Sequence, residues 1–200
     1  MVYKFSILIP TLHTRMENFQ KLINKIIKKI NENNLQNEIQ IISHFDNKTI
    51  GLSKKRTEML SNAIGDFITF IDDDDDISDD YIKLIYHTII NNPDSDVITF
   101  MQHCNVDGRK FNLICDINYN TSLNKTNNPN LFIRYPWIWC VWKRDKVKNN
   151  LFYDENPNRK NYGEDAVWCK NNIKNIKKET KINKILHYYQ YSSLTTETQK

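Results

Sequence analysis

A run of aspartates is the feature of this sequence most suited to chemistry. Seven aspartates fall between Asp72 and Asp80, and five of them, Asp72 to Asp76, are adjacent. Two like charges about 4 Å apart repel each other by roughly 4 kcal/mol at an effective dielectric constant near 20, and a bound cation removes that repulsion. Mg²⁺ and Mn²⁺ prefer carboxylate oxygen and commonly use one or two protein carboxylates plus substrate phosphates. The run therefore predicts a Mn²⁺ or Mg²⁺ site, with the alternate residues Asp72 and Asp74 suited to be its ligands.

Not every aspartate of the run is expected to bind a ligand. Asp79 and Asp80 follow Ser78 where a helix would begin, and carboxylates at that position complement the helix dipole. An EF-hand loop is excluded, because its Gly and its bidentate Glu are missing at the required offsets. The prediction of a ligand site is thus confined to Asp72–Asp74, and Asp75 and Asp76 receive no role.

The apolar pattern around the run predicts the elements that position it. Three short apolar runs are typical of buried strands: Phe5–Ile9, Ile39–Phe45 and Phe67–Ile71. Three stretches with apolar residues at helical spacing follow them in turn, over residues 16–30, 52–63 and 81–89. Pro10 is expected to end the first strand, and Gly65 to act as the C-cap of the second helix.

The alternation of strands and helices predicts an α/β fold with a parallel sheet and right-handed crossovers. Ligands of such sheets bind beyond the carboxyl ends of the strands. Thr11, Asp46 and Asp72–Asp76 each follow one strand, so three separate segments should meet at one crevice. With 200 residues the chain is expected to form a single domain, in which residues 1–103 bind a nucleotide and residues 104–200 complete the pocket.

The second half of the chain has a different pattern. Its expected elements are a hairpin from Val97–His103 and Lys110–Cys115, a mobile polar loop over 116–130, a strand at Ile138–Trp142, a helix at Glu164–Ile173 and a final strand at Ile182–Tyr191. Trp137 and Trp139 would share one face of a strand, where they would either line the pocket or pack in the core. His187 is interpreted as a half-buried residue of the last strand, with metal ligation as the alternative.

The composition restricts the class of protein. The net charge is only +4, and the lysines of residues 170–184 alternate with Asn and Ile rather than with aromatics, so this face is interpreted as solvated and no nucleic-acid partner is expected. Four cysteines without close ligand spacing are expected to be buried thiols.

Since neither a signal peptide nor an apolar stretch of about 18 residues is present, the chain is expected to be soluble and cytoplasmic. Heavy use of Lys, Asn and Ile is typical of an AT-rich genome, viral or parasitic, and a viral protein would be expressed in a host cytoplasm.

Several motifs together resemble those of the family 2 glycosyltransferases of GT-A fold. The resemblance rests on an opening strand at Phe5–Thr11, a lead-in at Gly51–Arg56 and Asn62–Ile71, the DxD position at Asp72–Asp74 and a later acidic motif at Tyr162–Asp165. These motifs have the family's order and spacing, and the similarity extends from Phe5 to about Tyr191. Two departures stand out. The paired aspartates that usually end the second strand are Phe45-Asp46 here, and the frequent Ala-Arg-Asn is Lys55-Arg56-Thr57.

The resemblance implies both a fold and an activity. The fold would be a single GT-A domain, with a mixed, mainly parallel central sheet flanked by helices. The activity would be transfer of a sugar from a nucleotide-diphosphate sugar to an acceptor hydroxyl, with inversion at the anomeric carbon and a divalent metal on the DxD-like motif. The nucleotide, the sugar, the oligomeric state and the acceptor, whether glycan, lipid-linked molecule or protein, are not specified by the sequence.

The resemblance also implies roles for particular residues. The donor-binding residues would be Thr11 and Asp46 against the nucleoside, Arg56 near the base or diphosphate, and Asp72 and Asp73 near the ribose and metal. Asp74 would be the principal ligand of Mn²⁺ or Mg²⁺, joined by Asp72. Asp165 would be the general base that deprotonates the acceptor, with Glu164 as the rival for that role.

Two other functions compete with this one. A non-catalytic nucleotide-sugar-binding or carbohydrate-binding protein could have the same fold, although the intact acidic motifs argue against it. A Mg²⁺-dependent nucleotidyltransferase would usually have a Gly-rich, basic phosphate loop after its first strand. Residues Pro10–Arg15 contain no glycine, which argues against that class.

Overall fold

The computed structural model of the protein describes residues 3–121, 123–152 and 163–193. Within these ranges the strands are β1 (Phe5–Leu12), β2 (Ile39–Asp46), β3 (Phe67–Phe70), β4 (Asp76–Ile77), β5 (Val97–Val106), β6 (Arg109–Cys115), β7 (Asn124–Lys125), β8 (Leu131–Arg134), β9 (Val141–Lys143) and β10 (Glu179–Tyr191). The helices are α1 (Met16–Glu32), α2 (Leu52–Asn62), α3 (Tyr81–Asn91), α4 (Arg144–Val147) and α5 (Glu164–Asn172). Tyr162, part of the last acidic motif, lies outside the described residues.

The strands belong to one mixed sheet. Its main path runs β2-β1-β3-β9-β5-β6-β8-β7, and β10 pairs with β4 and β5. The longest ladders, β1 with β2 and β5 with β10, are parallel, while β9 joins the two halves of the sheet through antiparallel pairing with β3 and β5. The predicted mixed, mainly parallel α/β architecture is confirmed. Because β1, β2 and β3 are parallel, their carboxyl ends meet at one edge of the sheet.

The helices cover the sheet with the apolar faces that the sequence predicts. Helix α1 buries Phe19, Leu22, Ile23, Ile26 and Ile30. The outer members of the same stripe, Met16 and Ile27, stay 42% and 43% exposed, so the stripe is narrower than predicted. Helix α3 begins at Tyr81, directly after the expected Asp79 and Asp80, but without a side-chain capping hydrogen bond. Within the described ranges, no helix is long and apolar enough to cross a membrane.

The prediction that Pro10 ends the first strand is wrong. Strand β1 continues to Leu12, and Pro10 pairs in register with His44 of β2. The carbonyl of Leu8 accepts a hydrogen bond from the Ile71 amide, so Leu8, and with it Pro10 two residues later, faces the side of β3. The registered pairs with β3 end at Leu8, and the missing N–H of Pro10 therefore removes no ladder hydrogen bond.

Gly65 is not the C-cap that the sequence predicts. Helix α2 ends at Asn62 with Ala63 as its extended C-cap, and the positive-φ glycines of the described chain are Gly108 and Gly163. Gly65 is instead required by a close approach of two backbones. A Cβ atom at this position would lie 2.7 Å from the carbonyl carbon of Phe5 and 2.7 Å from the amide nitrogen of Ser6. The same contact lets the Gly65 amide donate to Ser6 Oγ at 2.9 Å.

Replacing this glycine is expected to separate the loop before β3 from β1. Gly65→Ala should lower the free energy of unfolding by about 1–3 kcal/mol, the usual range for overpacking a filled site. Urea denaturation followed by circular dichroism would measure the change. Ile64→Ala is a matched control, because Ile64 is 49% exposed and its truncation should change stability by less than about 0.5 kcal/mol. Equal stability of Gly65→Ala and the wild type would contradict the close-approach explanation.

The second half of the chain differs more from its prediction. The hairpin is confirmed, since Val106 pairs with Arg109 and the turn residues Asp107 and Gly108 both have positive φ, as a two-residue type I′ turn requires. The polar loop contains the short strand β7 and is followed by β8, neither of which was predicted. The expected strand at Ile138–Trp142 is wrong in its first half. Residues 137–140 form a turn, closed by a hydrogen bond of 2.9 Å from the Cys140 amide to the Trp137 carbonyl, and the strand begins at Val141.

Candidate active site

A cleft of about 500 Å³ lies beyond the carboxyl end of β3. Helix α2, the aspartate run, strands β5, β6 and β8, and the start of α5 all contribute to its lining. Among the predicted site residues, the cleft is lined by Arg56, Asp72, Glu164 and Asp165. The other four, Thr11, Asp46, Asp73 and Asp74, lie at the same sheet edge but are not part of this lining. A second cavity of about 400 Å³ lies at the opposite end of β3, around Phe67.

Arg56 joins two acidic segments that are far apart in the sequence. Its side chain is 3% exposed, and Nη2 donates to Asp72 Oδ1 at 2.7 Å while Nη1 donates to Glu164 Oε1. Burial disfavours the charged guanidinium, but Asp72 and Glu164, together with the nearby Asp165, outweigh that effect and raise the pKa of Arg56. Helix α2 thereby holds the end of β3 against the start of α5.

The two acidic residues that begin α5 have different surroundings. Glu164 is 5% exposed, and its carboxylate is ion-paired with Arg56. Burial raises the pKa of Glu164 even though Arg56 acts in the opposite direction. Asp165 is only half-buried, and its Oδ1 accepts a hydrogen bond of 2.7 Å from the Ala166 amide. Asp165 is therefore a carboxylate of the cleft that is held in place without being committed to the buried ion pair of Arg56.

Arg15 organises the next part of the aspartate run. Its Nη2 lies 2.6 Å from Asp73 Oδ1 and 2.6 Å from Asp74 Oδ2. Asp73 is buried and also accepts a hydrogen bond of 2.5 Å from the Thr11 hydroxyl, whereas the Asp74 side chain is 41% exposed. Burial raises the pKa of Asp73 to about 6 and also raises that of Asp74. The Thr11 hydroxyl and the Asp73 carboxylate are therefore hydrogen-bonded to each other. Asp74 is the more accessible carboxylate of the two that contact Arg15.

Asp46 is held by a buried lysine. Lys55 Nζ forms an ion pair with Asp46 Oδ1 and donates to the Thr11 carbonyl at 2.9 Å, so α2 ties the ends of β1 and β2 together. Asp46 Oδ2 accepts from the Ile50 amide at 2.8 Å. Burial of the carboxylate opposes ionisation, but the hydrogen bond from Lys55 and that amide outweigh it and lower the pKa of Asp46. The nucleoside-binding roles of Thr11 and Asp46 remain predictions.

Asp75 faces a histidine that is fully buried, not half-buried as predicted. His187 lies on β10 with no exposed surface, and its Nε2 is 3.3 Å from Asp75 Oδ2. Its Nδ1 is 2.9 Å from Gln102 Nε2, and its ring stacks on Trp139 at 5.6 Å between centroids. Burial raises the pKa of Asp75 despite the neighbouring imidazole. The side chain of Asp75 thus connects the cleft to β10.

The residues around the run fit a divalent cation that is shared with a substrate. The donors are hard carboxylate oxygens, and one of them, the buried Asp75 Oδ1, has no hydrogen-bond partner. Over the described ranges, no three His, Cys, Asp or Glu residues gather into a ready-made protein site. Mg²⁺ and Mn²⁺ sites that use substrate phosphates need only one or two carboxylates, and Asp72 and Asp74 have side chains that are 42% and 41% exposed.

Aromatic side chains form part of the wall of the cleft. Trp137 and Trp139 both line it, although the turn at 137–140 replaces the strand on which their common face was predicted. Trp139 is buried and Trp137 is half-buried, so the first also contributes to the core. Trp168 packs in the core on Phe152, at 4.9 Å between ring centroids.

Several residues that shape the site were not identified from the sequence. The most important are Arg15, Lys55, Gln102 and Arg134. Only Lys55 had a local signal: it lies four residues before the buried Met59, on the inward face of α2, where an unpaired lysine would be costly. The others act through partners that sequence spacing does not bring together.

Comparison with known proteins identifies the fold. The model of glycosyl transferase family 2 matches residues 7–146. The crystal structure of TarS 1–349 from S. aureus superimposes with a TM-score of 0.63 at 17% identity, over 94% of this chain and 60% of that chain. The same protein in complex with UDP-GlcNAc gives a TM-score of 0.64 at 17% identity, over 98% of this chain and 61% of that one. Its complex with UDP gives 0.63 at 19% identity, over 94% and 61%.

The likeness to TarS concerns the fold, which is GT-A, because the sequence identity is low. This chain covers about three fifths of the length of those TarS structures. No match was found among curated proteins. The family match, in contrast, extends over well more than half of the sequence, from β1 to α4. The chain therefore belongs to glycosyl transferase family 2.

Proposed function

We propose that the protein transfers a sugar from a nucleotide-diphosphate sugar to an acceptor hydroxyl and inverts the anomeric configuration. The observation that supports this most is the cleft itself. A buried arginine, Arg56, holds the DxD-like Asp72 and the acidic pair at the start of α5 at one place, in a chain of family 2. The TarS structures with UDP and UDP-GlcNAc make a uridine nucleotide the first donor to test.

The two sides of the cleft would have separate tasks. Arg56 and Asp72 would bind the donor, with Thr11, Asp46 and Asp73 behind them at the ends of the parallel strands. A fixed guanidinium next to the leaving group stabilises the negative charge that develops there. Because both of its terminal nitrogens are already held by carboxylates, Arg56 would need little reorganisation during the reaction.

Asp165 would act as the general base on the acceptor side. It would take the proton of the acceptor hydroxyl as that oxygen attacks the anomeric carbon from the face opposite the departing nucleoside diphosphate. Attack from the opposite face in one displacement inverts the configuration. Glu164 is less suited to this task, since its carboxylate balances the charge of Arg56. Its part would be to position Arg56.

Family 2 enzymes commonly use divalent metals, and Mn²⁺ or Mg²⁺ would be held here by Asp74 and Asp72. When bound, the ion would neutralise charge on the diphosphate as a Lewis acid and align it. Arg15 would keep Asp74 oriented, because the two are in contact at 2.6 Å. The contact uses Oδ2, and because the Asp74 side chain is 41% exposed, its carboxylate would still be accessible to the ion.

A thermal-shift screen tests donor and metal together. UDP-, GDP-, dTDP- and CDP-sugars would each be added with and without Mn²⁺. One nucleotide should raise the melting temperature only with metal, and at 100 times its Kd this binding should add about 2.7 kcal/mol of stability. Asp74→Asn should remove the metal-dependent part of the shift.

Asp66→Asn is the matched control for the loss of one carboxylate, because Asp66 lies at the opposite end of β3 and pairs with Lys4. It should respond to donor and metal as the wild type does. If none of the four nucleotide classes stabilised the protein, this result would count heavily against the proposal. Donor binding without sugar transfer or donor hydrolysis would favour a non-catalytic binding protein.

A further inference from the structure

Arg134 is a cation of the cleft that has no ion-pair partner among the residues the structure describes. It ends β8, where its backbone is fixed by pairing with Cys115 and by a hydrogen bond of 2.9 Å from the Asp116 amide to its carbonyl. Its side chain lines the cleft, and its guanidinium carbon lies 3.2 Å from the ring centroid of Trp137. The backbone and the indole therefore both determine where the guanidinium stands.

The other arginines near the cleft have acidic partners. Arg56 and Arg15 each contact two carboxylates. For Arg134, no carboxylate within the described residues is at ion-pair distance. Its Nε is buried without a hydrogen-bond partner, as is that of Arg56, so the missing carboxylate is what distinguishes Arg134. A buried donor of a charged group that lacks a partner is costly, and a stacked aromatic ring compensates for only part of that cost. Such an arrangement is typical of a group that is completed by a ligand.

The position of Arg134 relates it to the acceptor side of the cleft. Arg134 and Trp137 line the same cleft as Asp165. Arg134 thus shares a neighbourhood with the carboxylate proposed as the base. Apolar side chains complete this wall, among them Leu113, Leu123 and Trp137.

We infer that Arg134 and Trp137 form a subsite for an oxyanion carried by the acceptor, a phosphate or a carboxylate close to the hydroxyl that is glycosylated. This inference rests on the proposed function, since it names the class of acceptor for the same site. A guanidinium presents a planar fork of donors that matches both oxyanions, and it keeps that geometry when stacked on an aromatic face. The indole face would in addition pack against the carbon skeleton of the acceptor.

Tryptophan fluorescence gives a test that does not depend on turnover, because Trp137 lies directly under the guanidinium. The wild type would be titrated with methyl phosphate, methyl β-glucuronide and methyl β-glucoside, with and without UDP and Mn²⁺. A saturable change is expected with one or both anionic probes, and the neutral glucoside should bind at least about tenfold more weakly. Comparison of methyl phosphate with methyl β-glucuronide distinguishes an acceptor that carries a phosphate from one that carries a carboxylate.

Variants identify the group responsible. Arg134→Gln should weaken binding of the anionic probe at least about tenfold, Arg134→Lys should lose less, and Trp137→Phe should lose the fluorescence signal. Arg109→Gln is the matched control and should bind like the wild type. Arg109 is an exposed arginine that also stands over aromatic rings, with its guanidinium carbon 5.9 Å from the Phe111 ring centroid.

Three results would overturn the inference. The first is that neither anionic probe binds saturably, and the second is that Arg134→Gln and Arg109→Gln lose the same affinity for the anionic probe. The third is that Arg134→Gln loses affinity for UDP while it still binds the anionic probe. The last result would assign the guanidinium to the donor diphosphate. If the wild type bound the anionic probe but no nucleotide sugar, the proposed function would fail while the oxyanion subsite remained.

Discussion

Asp165→Asn should reduce sugar transfer by about 10²–10⁴-fold while leaving donor binding intact, because an amide cannot accept the proton of the acceptor hydroxyl. The carboxylate that is lost lies half-buried at the start of α5, and it is separate from the buried ion pair that connects α5 to α2. Donor affinity would be measured by thermal shift, and transfer by release of the nucleoside diphosphate with acceptor present.

Glu164→Gln is the matched comparison for the base. The amide keeps the shape of the side chain and a hydrogen bond to Arg56, but removes the charge that balances the guanidinium. This variant should lose stability and donor affinity more than it loses the rate of the chemical step. If Asp165→Asn kept full turnover and Glu164→Gln lost it, Glu164 would be the base and the assignment made here would be wrong.

Arg56→Met should give the largest loss of stability of any single change in the cleft. It leaves Glu164 buried without its cation, and breaking a buried ion pair from one side typically costs about 3–5 kcal/mol. It should also weaken donor binding, since Asp72 loses its contact with Nη2. Urea denaturation at neutral pH would measure the stability, and thermal shift the donor affinity.

A double variant distinguishes two causes of the lost stability, the unpaired buried charge of Glu164 and the lost packing of the Arg56 side chain. Arg56→Met combined with Glu164→Leu should be more stable than Arg56→Met alone, because no buried charge is left unpaired. Lys54→Met, on the exposed face of the same helix, should change stability by less than about 0.5 kcal/mol. An Arg56→Met protein within 1 kcal/mol of the wild type would show that Glu164 is compensated by other groups.

The sequence was a good guide to the sheet edge and a poor guide to the partners that meet there. Periodicity and strand order sufficed to bring Thr11, Asp46 and Asp72 to one edge, since parallel strands have only one way to align their carboxyl ends. Periodicity says which way a side chain faces, but not what it touches across the molecule. The contacts of Arg15 with Asp73 and of Lys55 with Asp46 could therefore not be derived from it.

The aromatic segment was mispredicted for a local reason. Alternation of apolar residues around Trp139 is as compatible with a tight turn as with a strand when the residues are buried on all sides. The turn is stabilised by the indole of Trp142, whose Nε1 donates to the Trp137 carbonyl at 3.0 Å. That hydrogen bond crosses five residues and is not visible in a pattern of two-residue repeats.

The aspartate run has a further property that follows from its neighbours. The five aspartates have four different cationic or imidazole partners: Asp72 contacts Arg56, Asp73 and Asp74 share Arg15, Asp75 faces His187, and Asp76 contacts Lys25. Deleting one residue would leave a run of four aspartates with nearly the same composition. Each carboxylate after the deletion, however, would shift by one position and lie next to the partner of a different aspartate. The length of the run is therefore as strictly constrained as its charge, and insertions or deletions here should be tolerated less well than conservative replacements.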